Sequence, residues 1–434
     1  MRVGGDPHRI SVGRAPSQAE SWPTYHHDAA RTGYDRLANP ATGHLSRAWS
    51  RQLDGAVYAE PLVVNGQVIV ATENDSVYGL SPRGGVLWRR HLGTPVSLAM
   101  LPCGDIDPLG ITSTPVFDAV SGNLFVAAEL SSPLRHRLFA LNPSTGRVRW
   151  SHSLDPAGMH RRVQQQRGAL AVANGRVWAP FGGLAGDCGD YHGWVVGTRS
   201  AGGGKLSVYR TPSSREAGIW APSGPAVDST GHLYVAVGNG AATAPPYDDS
   251  DSAVRLLGNQ AVSLFAPSTW AAENAADQDL GSTGPAVVRG AGRRWIFVDG
   301  KAGNGYLLRP ARLGGIGGQA ATVSGCASFG GTAFHSRTIY VPCTDGIRAV
   351  RIQAGPALRV LWHNSDTGFG SAPVLGGGAL WAVNGSRLFQ INPATGSAVT
   401  SAVVGTCPHF ATPTLYGSLV LVGTTSGVTA VRTS

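Results

Sequence analysis

A short apolar strand headed by proline recurs along the chain: AEPLVV at Glu60–Pro61, TSTPVF at Thr114–Pro115, SGPAVD at Gly224–Pro225, TGPAVV at Gly284–Pro285, SAPVLG at Ala372–Pro373 and ATPTLY at Thr412–Pro413. Two degenerate copies, GALAVA at Ala169–Leu170 and GTAFHS at Thr332–Ala333, fill the gaps in the series. Successive copies lie 54, 55, 55, 60, 48, 40 and 40 residues apart, which makes eight repeats of one supersecondary unit. Within a unit, a glycine or polar turn leads into a second apolar strand, as in GQVIVAT, GNLFVAA, GHLYVAV and GALWAVN. A third strand then runs into a turn (VYGLSPRGG, LFALNPSTG, LFQINPATG), and a fourth carries Trp88, Trp150 or Trp362.

Four antiparallel strands repeated eight times around an axis predict an all-β, eight-bladed β-propeller, because one such sheet cannot bury both of its faces alone. A proline at the head of the first strand suits an edge facing a central channel, where a missing N–H breaks no ladder bond. The eighth unit ends after three strands. The segment RAWSRQL around Trp49 is expected to supply the fourth and close the ring without free edges. One propeller domain over residues 21–434 follows, preceded by a disordered N-terminal segment, 1–20.

Composition agrees: 60 glycines and 28 prolines punctuate the chain, and only 14% of residues are charged. The net charge of +9 comes from scattered arginines, since Lys205 and Lys301 are the only lysines. Without a basic stripe or recognition motif, no nucleic-acid partner is expected. Residues 1–20 hold no apolar core and no stretch approaches 18 apolar residues, so neither a signal peptide nor a transmembrane segment is read from the sequence. A monomer is expected.

Chemistry is expected at the channel mouth, the usual ligand site of a concave fold. Its loops are the long ones: LGTPVSLAMLPCGDIDPLG, GGLAGDCGDYHGW and GNGAATAPPYDDSDSAVRLL. Cysteines fall on or beside such loops, and their placement predicts disulfides Cys103–Cys188 and Cys326–Cys343, with Cys407 free and reduced, buried cysteines as the alternative. Disulfides would place the protein in an oxidising compartment, secreted or at the cell surface, against a cytoplasmic alternative. Glu60 is the sharpest single residue, since the equivalent places hold Thr114, Ala169, Gly224, Gly284, Thr332, Ala372 and Thr412, all small. It is expected to face the channel, either pairing with an arginine or serving as a cation ligand or proton shuttle. His192 and His409 are candidate bases or ligands against a surface hydrogen-bonding role. Asp105 and Asp107, with Asp277 and Asp279, are candidate metal ligands, against ordinary turn chemistry for the first pair and the capping of blade edges for the second. Asp107 also joins Glu60, His192 and His409 as a candidate acid–base group. Lys301 is a candidate positive charge or salt-bridge partner. The YDDSDS run (Tyr247–Ser252) reads as a flexible acidic loop, lacking the spacing of a calcium loop. P-loop, dinucleotide, GxSxG, HEXXH and haem-attachment motifs are absent.

The L-x-NP-x-TG turn followed by an aliphatic–Trp strand resembles the repeat of the pyrroloquinoline-quinone-like (quinoprotein dehydrogenase-like) β-propellers. The opening WPTYHHDAARTGY (Trp22–Tyr34), DQDLGSTGP (Asp277–Pro285) and GKAGNGYLL (Gly300–Leu308) are similar to segments of that family. The resemblance implies a scaffold that hosts both quinone-dependent dehydrogenases and non-enzymatic binding proteins. Adjacent cysteines, a tryptophan floor and a complete calcium-ligand set are the dehydrogenase features that the sequence does not display. The expected function is therefore binding of a protein, peptide, glycan or small molecule at the loop-rich mouth, without redox activity. The alternative is an enzyme of the funnel: a quinoprotein-type alcohol or sugar oxidoreductase, or a cofactor-free acid–base lyase, cyclase or isomerase. The cofactor is open, with pyrroloquinoline quinone and calcium not favoured.

Overall fold

The computed structural model describes residues 21–37, 43–368 and 371–433; the segment read as disordered, 1–20, lies outside them. Eight antiparallel sheets form the eight-bladed ring. Their innermost strands are Leu62–Val64, Val116–Asp118, Ala171–Ala173, Ala226–Val227, Ala286–Gly290, Ala333–His335, Val374–Gly376 and Thr414–Tyr416. Each recurrent proline sits one residue ahead of its strand rather than within it. In the sixth unit the strand begins at Ala333, so Thr332 occupies the proline place and the sequence alignment of that degenerate copy was one residue late. Its partner at the Glu60 position is therefore Gly331, still small.

The ring closes as the strand count requires. Leu45–Gln52 pairs antiparallel with Gly427–Thr433, placing Trp49 opposite Ala430, so the first and last strands of the chain share one sheet. Neighbouring blades lock through a repeated device. Trp49, Trp88, Trp150 and Trp362 lie on Gly84, Gly146, Gly202 and Gly396 of the following blade's outer turn. All four glycines have positive φ, and a Cβ would overlap the indole at Gly84, Gly146 and Gly396 and crowd it at Gly202, which is why the turn ends in glycine. Between the blades, Trp178, Trp381, Phe125, Phe181, Phe265 and Phe297 fill the interior completely.

The first described segment, Trp22–Asp35, is the plug of the channel. Inner strands present unpaired N–H groups to the axis, and an unpaired buried N–H is costly. The segment supplies the missing acceptors. Val63, Phe117, Val227, Val287, Phe334 and Leu375 donate to the carbonyls of Trp22, Pro23, Ala29, Ala30, Thr32 and Gly33 at 2.7–3.0 Å. In every case the donor is the second residue after the proline place. The two remaining blades are reached by side chains. Arg31 donates from Nη2 to Leu170 O (2.9 Å), and His26 Nε2 lies 3.2 Å from Thr412 Oγ1. Arg31 is fully buried and donates further to Thr24 Oγ1, Tyr25 O and Pro225 O, at 2.7, 2.9 and 3.1 Å. Burial pulls its guanidinium down to about 10, with Tyr25, Asp28 and Glu60 opposing.

Both expected disulfides are present, Cys103–Cys188 and Cys326–Cys343, with Cα separations of 6.2 and 5.0 Å. Cys407 is free, and burial pushes its thiol up to about 12. No described helix is long and apolar enough to cross a membrane. The YDDSDS run is not the loose acidic loop that its composition suggested. Asp248 Oδ2 accepts from Ser213 Oγ (2.7 Å) and Ala242 N (3.2 Å), and buried Asp251 accepts from Leu280 N at 2.6 Å.

Two outcomes follow from this frame. Arg31→Met should destabilise the fold by about 3 kcal/mol, because it leaves buried carbonyls of three elements unpaired; urea unfolding measures it. Replacing Cys103 and Cys188 together by serine should cost about 4.5 kcal/mol and the Cys326/Cys343 pair about 3 kcal/mol, since the first closes a loop of 85 residues and the second one of 17. Chemical denaturation of the two double variants tests the order.

Candidate functional site

At the mouth opposite the plug's outer surface, the interblade segments that precede each inner strand descend into a funnel. Counting back from the residue before the proline place, the position two earlier in the sequence holds Tyr58, Thr112, Arg167, Pro222, Ser282, Phe329, Gly370 and Phe410, and Tyr58, Thr112, Arg167, Pro222, Phe329 and Phe410 of these line the funnel or the recess beneath it. Arg167 is the one charged member of that set. It lines the funnel together with Phe329 and Phe410, and Tyr58 stands just beneath. Trp220 enters two residues higher in its own segment. The cavity they enclose measures about 280 Å³, and its wall continues through Gly183–Asp187 and Tyr191 of the third-blade loop. Below it a recess of about 10 Å³, with room for one water-sized group, ends on Tyr25 of the plug.

The aromatic groups form a connected lining. Phe329 and Phe410 stack with centroids 5.8 Å apart, and each lies 6.4 Å from Trp220. The Arg167 guanidinium lies over Phe410, 4.8 Å from the ring centroid. It makes no ion pair with a described carboxylate. Burial pulls its pKa down, while Asp105, Tyr58 and Glu73 act from a distance to raise it. Lys301, by contrast, is paired twice, with Asp277 Oδ1 at 2.6 Å and Asp279 Oδ2 at 2.7 Å. Its Nζ lies 5.3 Å from the centre of Trp220, whose indole N–H donates to Asp279 Oδ1 at 3.3 Å. Burial raises the Asp279 carboxyl against the opposing pull of Lys301, while Lys301 is itself raised, because its pairs with Asp279 and Asp277 outweigh the lowering effect of burial.

Of the residues singled out from the sequence, the funnel gathers Asp105, Asp277, Lys301 and His409, with Asp279 directly behind Trp220. Asp107 lies outside it and accepts from Leu98 N at 3.0 Å. His192 also lies outside, with Nε2 3.7 Å from Asp190 Oδ1; burial and then Arg210 lower its pKa. Glu60 faces the axis but beneath the funnel, against the plug. Its Oε2 accepts from His26 N (2.8 Å) and its own N–H donates to Thr114 Oγ1 (2.9 Å). Burial pushes this carboxyl well above its ordinary range, and Arg31 acts on it through space without a direct pair. Among the described residues no three His, Cys, Asp or Glu side chains converge as a metal site requires.

Sequence reading missed Arg167, Phe329, Phe410 and Trp220, all of which line the cavity. The signal was available for Arg167. The comparison between units that isolated Glu60 isolates Arg167 when it is moved two residues upstream. Phe329 was hidden by the one-residue offset of the sixth copy.

A second polar cluster backs the funnel between the first two blades. Glu73, Asp75 and Glu129 are all buried. Glu73 Oε2 accepts from Gly110 N (2.8 Å) and Thr112 Oγ1 (3.2 Å). Burial raises Glu73 to about 8 and Asp75 to about 9, and repulsion within the trio adds to both. Glu129 and Asp155 flank His136 at 3.3 and 2.7 Å, and against the lowering effect of burial they raise it to about 10.

Comparison with known proteins places the chain among related propellers. Residues 27–182 match a family model described as outer membrane protein assembly factor BamB. A curated relative, quinohemoprotein alcohol dehydrogenase ADH-IIG of Pseudomonas putida, is 29% identical over 151 residues. That alignment covers 34% of this chain and only 19% of the relative. The solved structure of quinohemoprotein alcohol dehydrogenase ADHIIG from Pseudomonas putida HK5 superposes with a TM-score of 0.77 at 16% identity, covering 96% of this chain and 80% of that one. The quinohemoprotein alcohol dehydrogenase of Comamonas testosteroni gives 0.72 at 17%, with the same coverages. BamB from Moraxella catarrhalis gives 0.61 at 14%, covering 90% of this chain and 98% of that one.

The buried acids set a pH dependence. With folded values above the ordinary carboxylate range, the native state holds protons that the unfolded chain has released. Their stabilising contribution is complete below about pH 4 and is lost as pH rises through 8 to 9. A Glu73→Gln/Asp75→Asn variant should therefore lose less stability than the wild type between pH 5 and pH 9, as measured by denaturation midpoints at the two pH values.

Proposed function

We propose, for a chain that belongs to the pyrroloquinoline-quinone-like β-propeller family, that the funnel binds a planar organic anion with Arg167 as its charge anchor. The observation that carries this reading is the position of Arg167: the sole charge at its place in the eight repeats, lying over Phe410 in the funnel and without a carboxylate partner among the described residues. A half-buried guanidinium without a counter-charge favours an incoming carboxylate, and its planar fork suits that group bidentately. Trp220, Phe329 and Phe410 offer flat apolar surfaces for the body of the ligand. Lys301 contributes less charge to this ligand, since Asp277 and Asp279 already neutralise it. The two disulfides fit a compartment outside the reducing cytosol, secreted or periplasmic.

A second reading, quinone-dependent alcohol oxidation, is favoured by the 29% identity shared with a protein named quinohemoprotein alcohol dehydrogenase. Pyrroloquinoline quinone is a planar tricarboxylate, so Trp220, Phe410 and Arg167 fit the organic group; bound, it would supply a two-electron acceptor. Calcium does not fit equally, because Asp277 and Asp279 are committed to Lys301 and Asp107 to the backbone of Leu98. Binding without oxidation thus remains the better-supported activity of these residues.

Isothermal titration with redox-inert naphthalene-2,6-dicarboxylate and with pyrroloquinoline quinone separates the readings. Arg167→Met should weaken both ligands by about 30-fold, equivalent to ~2 kcal/mol for a lost charged hydrogen bond. Unchanged affinity in that variant would sink the anchor assignment. Alcohol-driven dye reduction by the quinone-loaded wild type would replace the binding reading with the oxidative one.

A further inference from the structure

A second cleft opens at the other end of the channel, on the plug's outer side, bounded by the first hairpins of the fifth and sixth blades. Two adjoining hollows, of about 480 and 520 Å³, share Arg289, Arg294, Phe334 and Ser336 as walls. Arg293 and Arg337 complete the rim, and Tyr34 against His335, with centroids 4.1 Å apart and ring planes tilted by 37°, walls the plug side.

Two local rules are broken at this one place. Arg289 and Arg294 are directly paired across antiparallel strands, where like charges repel; Arg176 with Arg199 and Arg351 with Arg359 are paired in the same way, but the Arg289/Arg294 pair alone of the three lines this cleft. In the next blade, the two-residue turn Ser336–Arg337 has φ of 46° and 73°, so an arginine occupies a left-handed position. Four equivalent turns end in glycine, Asn65–Gly66, Asn174–Gly175, Ala291–Gly292 and Gly377–Gly378, and that of the eighth blade, Gly417–Ser418, has its one left-handed residue at glycine. No ion pair relieves the charge, since Arg289, Arg293, Arg294 and Arg337 have no carboxylate partner among the described residues; Arg294 donates to Ser229 Oγ at 2.5 Å. The acids that line the cleft are already used. Asp28 accepts from Thr32, Asp35 accepts from Leu37 N at 2.8 Å, and Asp228 accepts from Thr230, His232 and Tyr234 and is held down at about 2. Uncompensated repulsion and a strained turn that converge on one cleft mark a site whose sequence serves something other than stability.

We propose that this plug-side cleft binds a phosphate-bearing ligand, its phosphate oxygens shared between the Arg289/Arg294 pair and Arg337. Guanidinium forks arrayed around a hollow suit the several oxygens of a phosphate ester or diphosphate, which would turn the cross-strand repulsion into joint attraction. The site is separate from the funnel, because the plug lies between them.

The test titrates the full chain with pyrophosphate, and separately with phosphatidylglycerol and phosphatidylcholine vesicles, at fixed ionic strength. Arg289→Ala/Arg294→Ala should weaken binding by about 10-fold or more. Arg337→Gly should weaken it by at least ~3-fold while raising the thermal midpoint, because glycine relaxes the left-handed turn; loss of fold cannot produce that combination. Arg167→Met should bind pyrophosphate as the wild type does. Pyrophosphate binding that follows this pattern supports a free phosphate compound. Binding to phosphatidylglycerol vesicles alone, lost in the same variants, supports the same site occupied by a lipid headgroup. Binding that is absent from both probes, indifferent to Arg289, Arg294 and Arg337, or abolished by Arg167→Met overturns the proposal.

Discussion

The inner edges of a propeller are its weak point, and this chain meets the problem with its own N-terminal segment. Eight strands that converge on an axis leave eight rows of donors without partners, in a space too narrow for bulk water. The carbonyls from Trp22 to Gly33 answer six of those rows at one register position, and Arg31 and His26 reach the other two blades. Ring closure at the periphery, through Leu45–Gln52 on Gly427–Thr433, depends on the same stretch of sequence. The first few dozen described residues therefore hold the structure together both at its hub and at its rim, although the blades carry nearly all of the apolar core.

Eightfold repetition gives chemistry a simple form. Each repeat position offers eight equivalent residues, so a single departure from the repeat sets the character of its level. Glu60 does this at the level of the plug, where seven small residues surround it. Arg167 does so higher up, where the remaining members are uncharged. A charge that arrives alone in a ring of eight is not neutralised by its equivalents, and it must find its partner elsewhere. For Glu60 that partner is the His26 backbone N–H. For Arg167 it is the face of Phe410. At the opposite end, Arg337 departs from the repeat in conformation as well as charge, taking a left-handed position that related turns give to glycine.

Much of the frame was legible because it is written in period and strand length. The number of blades, the borrowed closing strand at Trp49 and both disulfides follow from the repeat and from which loops share an end of the ring. The sixth copy was misread by one residue, because without its proline nothing in GTAFHS marks where the strand starts. The plug was recognised only as a resemblance. Its sequence, WPTYHHDAARTGY, has no strand or helix period, since its hydrogen bonds run outward to eight separate sheets rather than along itself. The aromatic lining of the funnel lies on segments that look like ordinary turns, and only superimposing the units on one another exposes it. Pairings such as Lys301 with Asp277 and Asp279 join a turn to a loop more than twenty residues earlier, and no local pattern encodes that distance.

Tyr25 stands at the foot of the funnel with Arg31 and the rest of the plug behind it, so the described channel is a blind well rather than a tunnel. Whatever visits Arg167 must leave by the route it came. An extended polymer cannot be threaded from face to face and reaches the guanidinium only with one of its ends. Occupants then exchange one at a time, at a rate governed by departure past Trp220 and the disulfide-pinned rim rather than by passage through the ring.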